Sequence, residues 1–291
     1  MKYRNRVLGI LFIIGTLALI LATLVLNSTQ PTVNAGVADP TKAAYLPFVV
    51  KAGTLFTPTA LPTATPTASP TVTPNPNDFT AVEFDDLSPE VPVVQLLAAQ
   101  QAHLWPILFE YNGVITITAV SEPSVNLVIE IINPTNNVLH QANNGGSGEL
   151  EAIINSQLDI ALDYKIRVYD LNGSEGNYCL IFSENGGFPD MIKGRIDYGQ
   201  SKTNETEFLG IDYYCFMGAN GDNVSISVSA TGITGDFVLA LLGPPDLETI
   251  GNVFTSSEIT NAMLEEDGIY IIAVLNLDAD AAGYSLTLNK N

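Results

Sequence analysis

From Phe79 onward, short apolar runs are separated by clusters of Gly, Asn, Asp and Pro. Within several runs the alternation is residue by residue. Val224-Ser225-Ile226-Ser227-Val228-Ser229 separates apolar from hydroxyl side chains completely, and Tyr164-Lys165-Ile166-Arg167-Val168 does so with charges. A period of two sends successive side chains to opposite faces of a pleated strand, so these runs predict strands with one buried and one wet face. No run in this region keeps a helical period. Turn signals recur roughly every ten residues, the spacing of a β-sandwich.

The pattern is written twice. His103 to Gly113, leading into a strand at Val114 to Val120, matches Ile211 to Gly221, leading into Asn223 to Ser229. Asn126 to Pro134 matches Asp236 to Pro244. Tyr164 and Tyr178 match Tyr270 and Tyr284, and each pair is 106 residues apart. A constant offset across separate strands predicts two copies of one unit, with the boundary at Gly187 to Met191. The expected architecture is all-β. Two tandem jelly-roll-like β-sandwiches span residues 79–190 and 191–291, after an N-terminal hydrophobic helix and a disordered Thr/Pro-rich linker. Pro106 falls inside a predicted strand and marks an edge or a bulge there.

Gly268-Ile269-Tyr270 and Gly283-Tyr284-Ser285-Leu286 complete an order of strands that resembles the bacterial pre-peptidase C-terminal (PPC) domain. That family is a β-sandwich appended to secreted peptidases and other exported proteins. The resemblance covers about two thirds of the chain, and the second copy fits better than the first. It implies an exported, non-catalytic module. It also allows calcium, since related modules bind it, and it offers an alternative role as an accessory or remnant module of a secreted peptidase or hydrolase system.

The N-terminal third has a different character. Val7 to Leu26 contains neither charge nor proline and follows Lys2, Arg4 and Arg6. As a helix it would be about 30 Å long, one hydrocarbon thickness, with its C-terminal end outside. Residues 1–35 therefore predict a signal peptide or an uncleaved signal anchor, with a small-residue cleavage site at Val33-Asn34-Ala35. Tyr45 to Lys51 is a short apolar patch without an evident role. Residues 36–78 form the stalk, in which proline recurs every fourth residue from Pro58 to Pro74. Proline fixes φ and removes a donor, so the stalk is expected to be an extended spacer.

Charge narrows the partners. The 291 residues carry 11 Lys+Arg against 31 Asp+Glu, a net charge of -20. Such a surface repels phosphate backbones, so nucleic acid is excluded as a partner. An extracellular protein or polysaccharide is expected instead, with the membrane met through the N-terminal helix.

The search for catalysis is empty. There is no G-x-S-x-G, HExxH, P-loop or GxGxxG, and there are only two histidines. His103 reads as a packing residue beside Trp105, and His140 as an exposed loop residue. The carboxylate groups Glu83-Asp85-Asp86, Glu265-Glu266-Asp267 and Asp278-Asp280 read as turn caps, with calcium as the competing use. No enzyme, catalytic residue, metal ligand or cofactor is therefore assigned. Trp105, Tyr213 and Tyr214 are the candidate ligand contacts, because aromatic faces stack on sugars or peptide; Tyr213 and Tyr214 must point to opposite faces. Cys179 and Cys215 fall in different copies. They are either two buried thiols or a bridge across an interface.

Overall fold

The computed structural model describes residues 75–109, 113–184, 191–232, 235–244, 247–250 and 254–291. The apolar run 7–26, the cleavage site, the Tyr45–Lys51 patch, nearly all of the stalk and the 185–190 boundary lie outside them. Among the described residues, every element after one turn of 3-10 helix at Pro76–Asp78 is a strand. Among the described residues, no helix is long and apolar enough to cross a membrane.

The first module contains β1 (Thr80–Glu83), β2 (Val93–Leu97), β3 (Gln101–Pro106), β4 (Val114–Ser121), β5 (Leu127–Ile132), β6 (Val138–Ala142), β7 (Glu151–Gln157), β8 (Lys165–Asp170) and β9 (Gly176–Glu184). One sheet has the order β1-β3-β8-β5-β6, the other β2-β9-β4-β7. The second module contains β10 (Met191–Arg195), β11 (Gln200–Thr206), β12 (Ile211–Gly218), β13 (Asn223–Ala230), β14 (Phe237–Gly243), β15 (Glu248–Thr249), β16 (Glu258–Met263), β17 (Gly268–Asn276) and β18 (Ala282–Lys290). Its sheets are β10-β12-β17-β14-β15 and β11-β18-β13-β16. Strand for strand, the two orders are the same. The last eight strands of each module make a jelly roll, two four-stranded sheets linked as Greek keys. The first strand is an addition that pairs parallel with the third.

Register carries the repeat to single residues. His103 faces Val168 and Trp105 faces Ile166, as Asp212 faces Val274 and Tyr214 faces Ile272. Asn155 and Asn261 both hold positive φ, 51° and 54°, where the edge strands β7 and β16 slip register against β4 and β13. At each bulge the Asn amide donates to a hydroxyl on the neighbouring strand, Thr116 or Ser225. Asn tolerates the left-handed region better than other residues with a Cβ, so the sequence can afford a bulge there.

Pro106 is not on an edge. Leu104 and Pro106 turn their backbone groups towards β1, where Phe84 and Leu87 donate to their carbonyls. The pairing of β1 with β3 runs to Glu83–Leu104 and resumes one residue out of register at the Leu87–Ile107 bridge, so Pro106 sits at a bulge, the second of the two places expected for it.

Three apolar layers hold the sheets. The first module's core includes Trp105, Ile117, Ile129, Ile166, Tyr178 and Phe182. The second includes Tyr214, Phe216, Ile226, Leu239, Ile272 and Tyr284. The third layer lies between the modules. Val120, Cys179 and Ile181 from β4 and β9 meet Ile192, Tyr213, Cys215, Ala240, Ile271 and Ala273 from the second module. The modules thus stack as four sheets with three cores. Cys179 and Cys215 form a disulfide inside the middle layer, with their Cα atoms 6.9 Å apart. Beside it, the Ile192 amide of β10 donates to Thr118 Oγ1 of β4 at 2.9 Å. Each fully buried side chain of this kind is worth about 1.5–3 kcal/mol.

Burial on both faces explains why β9 and β17 are apolar almost throughout while β13 alternates. The sheet β11-β18-β13-β16 has an outer face of hydroxyls: Ser201, Thr203, Ser225, Ser227, Ser285 and Thr287. The opposite outer face, on the first module, carries a buried polar group. There Arg167 donates to Glu130, Tyr169 and Gln141 also bond Glu130, and Asn77 accepts from Arg167. Phe79 packs edge-on against Tyr169 beside it.

Candidate functional site

Two polar constellations are buried inside the sandwiches, each built around a core tyrosine. In the first module the Tyr178 hydroxyl lies 2.9 Å from His103 Nδ1 and accepts from Trp105 Nε1 at 2.9 Å. His103 Nε2 is 3.4 Å from Gln101 Oε1. One assignment satisfies every group: Trp105 donates to Tyr178, Tyr178 to His103 Nδ1, and His103 Nε2–H to Gln101. Burial pushes the His103 pKa down to about 4 and raises that of Tyr178. The imidazole is therefore neutral at ordinary pH, and Phe84 covers it, its ring centroid 4.8 Å away.

The second module repeats the arrangement with different chemistry. Tyr284 donates to Asp212 Oδ2 at 2.6 Å, and its oxygen is 3.0 Å from the Tyr214 hydroxyl. Because Tyr284 donates to the carboxylate, Tyr214 donates to Tyr284 and accepts from Asn204 Nδ2. Lys193 Nζ lies 3.3 Å from Asp212 Oδ1. Burial raises the pKa of Asp212, opposed by the Lys193 charge and the Tyr284 hydrogen bond. It also raises that of Tyr284, with the Asp212 charge adding to the rise. These are core networks with every member partnered; in the second, the buried Thr206 side chain also hydrogen-bonds Asp212.

Trp105, Tyr213 and Tyr214 are all buried. Trp105 stacks on Phe84 in the first core, with centroids 4.1 Å apart. Tyr214 lies in the second core. Tyr213 does point to the opposite face, but that face is the layer between the modules. None of the three rings is available as a stacking platform. His103 is a core residue, as read. His140 is exposed but sits on the edge strand β6 rather than in a loop.

The carboxylates act on backbone. Asp267 accepts from the Asn220 amide at 2.8 Å and Asp278 from the Ala279 amide at 2.9 Å, while Glu83 pairs with Lys165. Among the described residues, no three His, Cys, Asp or Glu side chains gather as a metal site. Two more buried acids do the same work: Asp170 accepts from the amides of Asn126, Asn172 and Ser174, and Glu151 from those of Asn144 and Gly145.

What reaches solvent is different. At one end of the first module, Leu108, Ile160 and Leu162 are 46%, 55% and 47% exposed. They ride on residues 107–109 and on the loop 158–164, tied by Ile107 N to Tyr164 O at 3.0 Å, with Leu158 N bonded to Gly113 O at 2.8 Å. Phe109, half-buried, packs edge-on against Tyr164. The sequence reading missed this cluster because its members are far apart in the chain and sit in loops without periodicity. The repeat could have pointed to it: the residues 106 positions after Ile160 and Leu162 are Glu266 and Gly268.

No protein family matches the chain, and no curated protein is similar to it. Among solved structures it is similar to PliG of Aeromonas hydrophila, a periplasmic lysozyme inhibitor of g-type lysozyme, at 16% identity over 34% of this chain and 97% of that one, with a TM-score of 0.28. The pre-peptidase C-terminal domain of collagenase from Bacillus anthracis is 20% identical over 35% of this chain and 97% of that one, TM-score 0.25. The PBSX exported protein XepA is 12% identical over 69% and 87%, TM-score 0.25.

Proposed function

We propose that this chain is an exported, non-catalytic binding protein that presents two PPC-like β-sandwiches outside the cytoplasm. It is held at the membrane by residues 7–26 or released after cleavage near Ala35. The Cys179–Cys215 disulfide carries this reading. Such bonds persist in oxidising compartments and are rare where thiols are kept reduced. The apolar run behind Lys2, Arg4 and Arg6 supplies a route out.

The absence of a catalytic role is supported by the way the buried polar residues are used. His103, Asp212, Tyr178 and Tyr284 are engaged with one another or with their neighbours inside the cores. Function then rests on surfaces and on partners met outside the cell, an extracellular protein or polysaccharide. The test is topological. Intact cells expressing the full chain are treated with a membrane-impermeant amine reagent or protease, and the cysteines are alkylated before and after reduction. Labelling of intact cells and blocked cysteines are expected. Protection until lysis, with free thiols, would overturn the reading.

A further inference from the structure

We propose that the loop end of the first sandwich, where Leu108, Ile160 and Leu162 lie among acidic residues, docks a protein segment whose apolar side chains are bracketed by Lys or Arg. The inference rests on the extracytoplasmic binding reading and names the kind of partner that such a surface accepts.

Single exposed apolar residues are ordinary on a protein surface, but here three are carried by segments hydrogen-bonded to each other at one end of the sandwich. The fold does not require them. At the repeat-related positions of the second sandwich, Glu266 and Gly268 close the same loop, and Leu264 holds the place of Leu158. Ile160 and Leu162 are therefore additions of the first module.

Charge selects the partner. Asp159 and Asp163 flank Ile160 and Leu162 in one loop, and all four are exposed. Leu108 N donates to Leu87 O, which brings exposed Asp85 and Asp86 alongside the other loop. Lys165, the cation that follows Asp163, is engaged by Glu83. An apolar centre with an acidic rim complements an apolar centre with a basic rim, and the charges favour fast, salt-sensitive association. A bilayer is a poorer occupant, because interfacial anchors carry Lys and Arg beside their apolar residues and anionic headgroups repel this rim. A second copy of the patch is repelled by the same acids.

The experiment uses the full chain and two synthetic extended peptides, one alternating Leu with Lys and one alternating Ser with Lys. Binding is read by fluorescence anisotropy, and phosphatidylcholine vesicles are tested in parallel. The Leu/Lys peptide is expected to bind and the Ser/Lys peptide to bind on the order of tenfold more weakly. Raising salt from about 0.05 to about 0.5 M should weaken the complex. The double variant Ile160→Glu with Leu162→Gly, which installs the second module's own residues, should lose binding on the order of tenfold with an unchanged melting transition. Leu108→Ser provides an independent variant if the double change disturbs folding. No binding of the Leu/Lys peptide, equal binding by the variants, or preferential binding to vesicles would overturn the proposal. Surface labelling of intact cells separates this failure from a failure of the extracytoplasmic reading.

Discussion

Tyr178 and Tyr284 stand at the same place in the two sandwiches, and each hydroxyl is bound by two residues from the third strand of its own module: His103 and Trp105 in one, Asp212 and Tyr214 in the other. The geometry is kept while a neutral imidazole is exchanged for a carboxylate. The consequences of deleting the hydroxyl should therefore differ. Tyr284→Phe leaves buried Asp212 with Lys193 and Thr206 but without its 2.6 Å donor, and should cost about 2–3 kcal/mol. Tyr178→Phe removes a neutral bond and should cost about 1–2 kcal/mol. Denaturant unfolding of the two variants checks the order, and equal losses would contradict it.

The histidine makes stability depend on pH. In the unfolded chain His103 binds a proton below about pH 6.5, whereas in the fold it does so only below about 4. Between those values the unfolded state holds more protons, so stability falls as pH falls. The full contribution is about 3 kcal/mol and is lost by the time pH is well under 4. Asp212, whose pKa is raised in the fold, works in the opposite direction. His103→Gln should flatten the fall between pH 6.5 and 4, which melting temperatures across that range will show.

The disulfide closes a separation of 36 residues. In the chain-entropy treatment this is worth about 4 kcal/mol. Cys179→Ala with Cys215→Ala should lower the melting temperature by roughly 10 °C. The modules should remain stacked, because the apolar layer and the Ile192–Thr118 bond persist. A scattering profile of two loosely linked bodies in the variant would show that the covalent bond alone holds them together.

The paired bulges make a conformational prediction. Asn155 and Asn261 hold left-handed backbone, so glycine at either position should change stability by less than about 0.5 kcal/mol. Valine should cost about 1–2 kcal/mol or more, because its branched Cβ meets the backbone there.

How much of this was legible follows from which faces are wet. β13 and β18 alternate in the sequence because their outer faces meet water. β9 and β17 hide their alternation because both of their faces are covered. The repeat was legible from tyrosines, since Tyr164, Tyr178, Tyr270 and Tyr284 are fixed by the core. The layer between the modules was not, because it depends on two outer faces meeting. That is why Tyr213 could be placed on the opposite face from Tyr214 and still prove buried. Trp105, Tyr213 and Tyr214 looked like ligand contacts because aromatic residues serve both purposes; in this fold they fill space. The exposed Ile160 and Leu162 gave no periodic signal, and comparing the two copies position by position isolates them.

A face that welcomes one neighbour could welcome another, and modules joined head to tail by such faces would grow into a fibre unless something stopped them. Thr118, Val120, Cys179 and Ile181 meet the second module. At the corresponding positions of that module stand Ser227, Ser229, Ser285 and Thr287. At the other extremity, Glu130 and Arg167 are bonded under the Asn77 segment. The hydroxyl face thus offers a further module no apolar surface and the Glu130–Arg167 face is already covered, as the outer faces of terminal repeats are in solenoids.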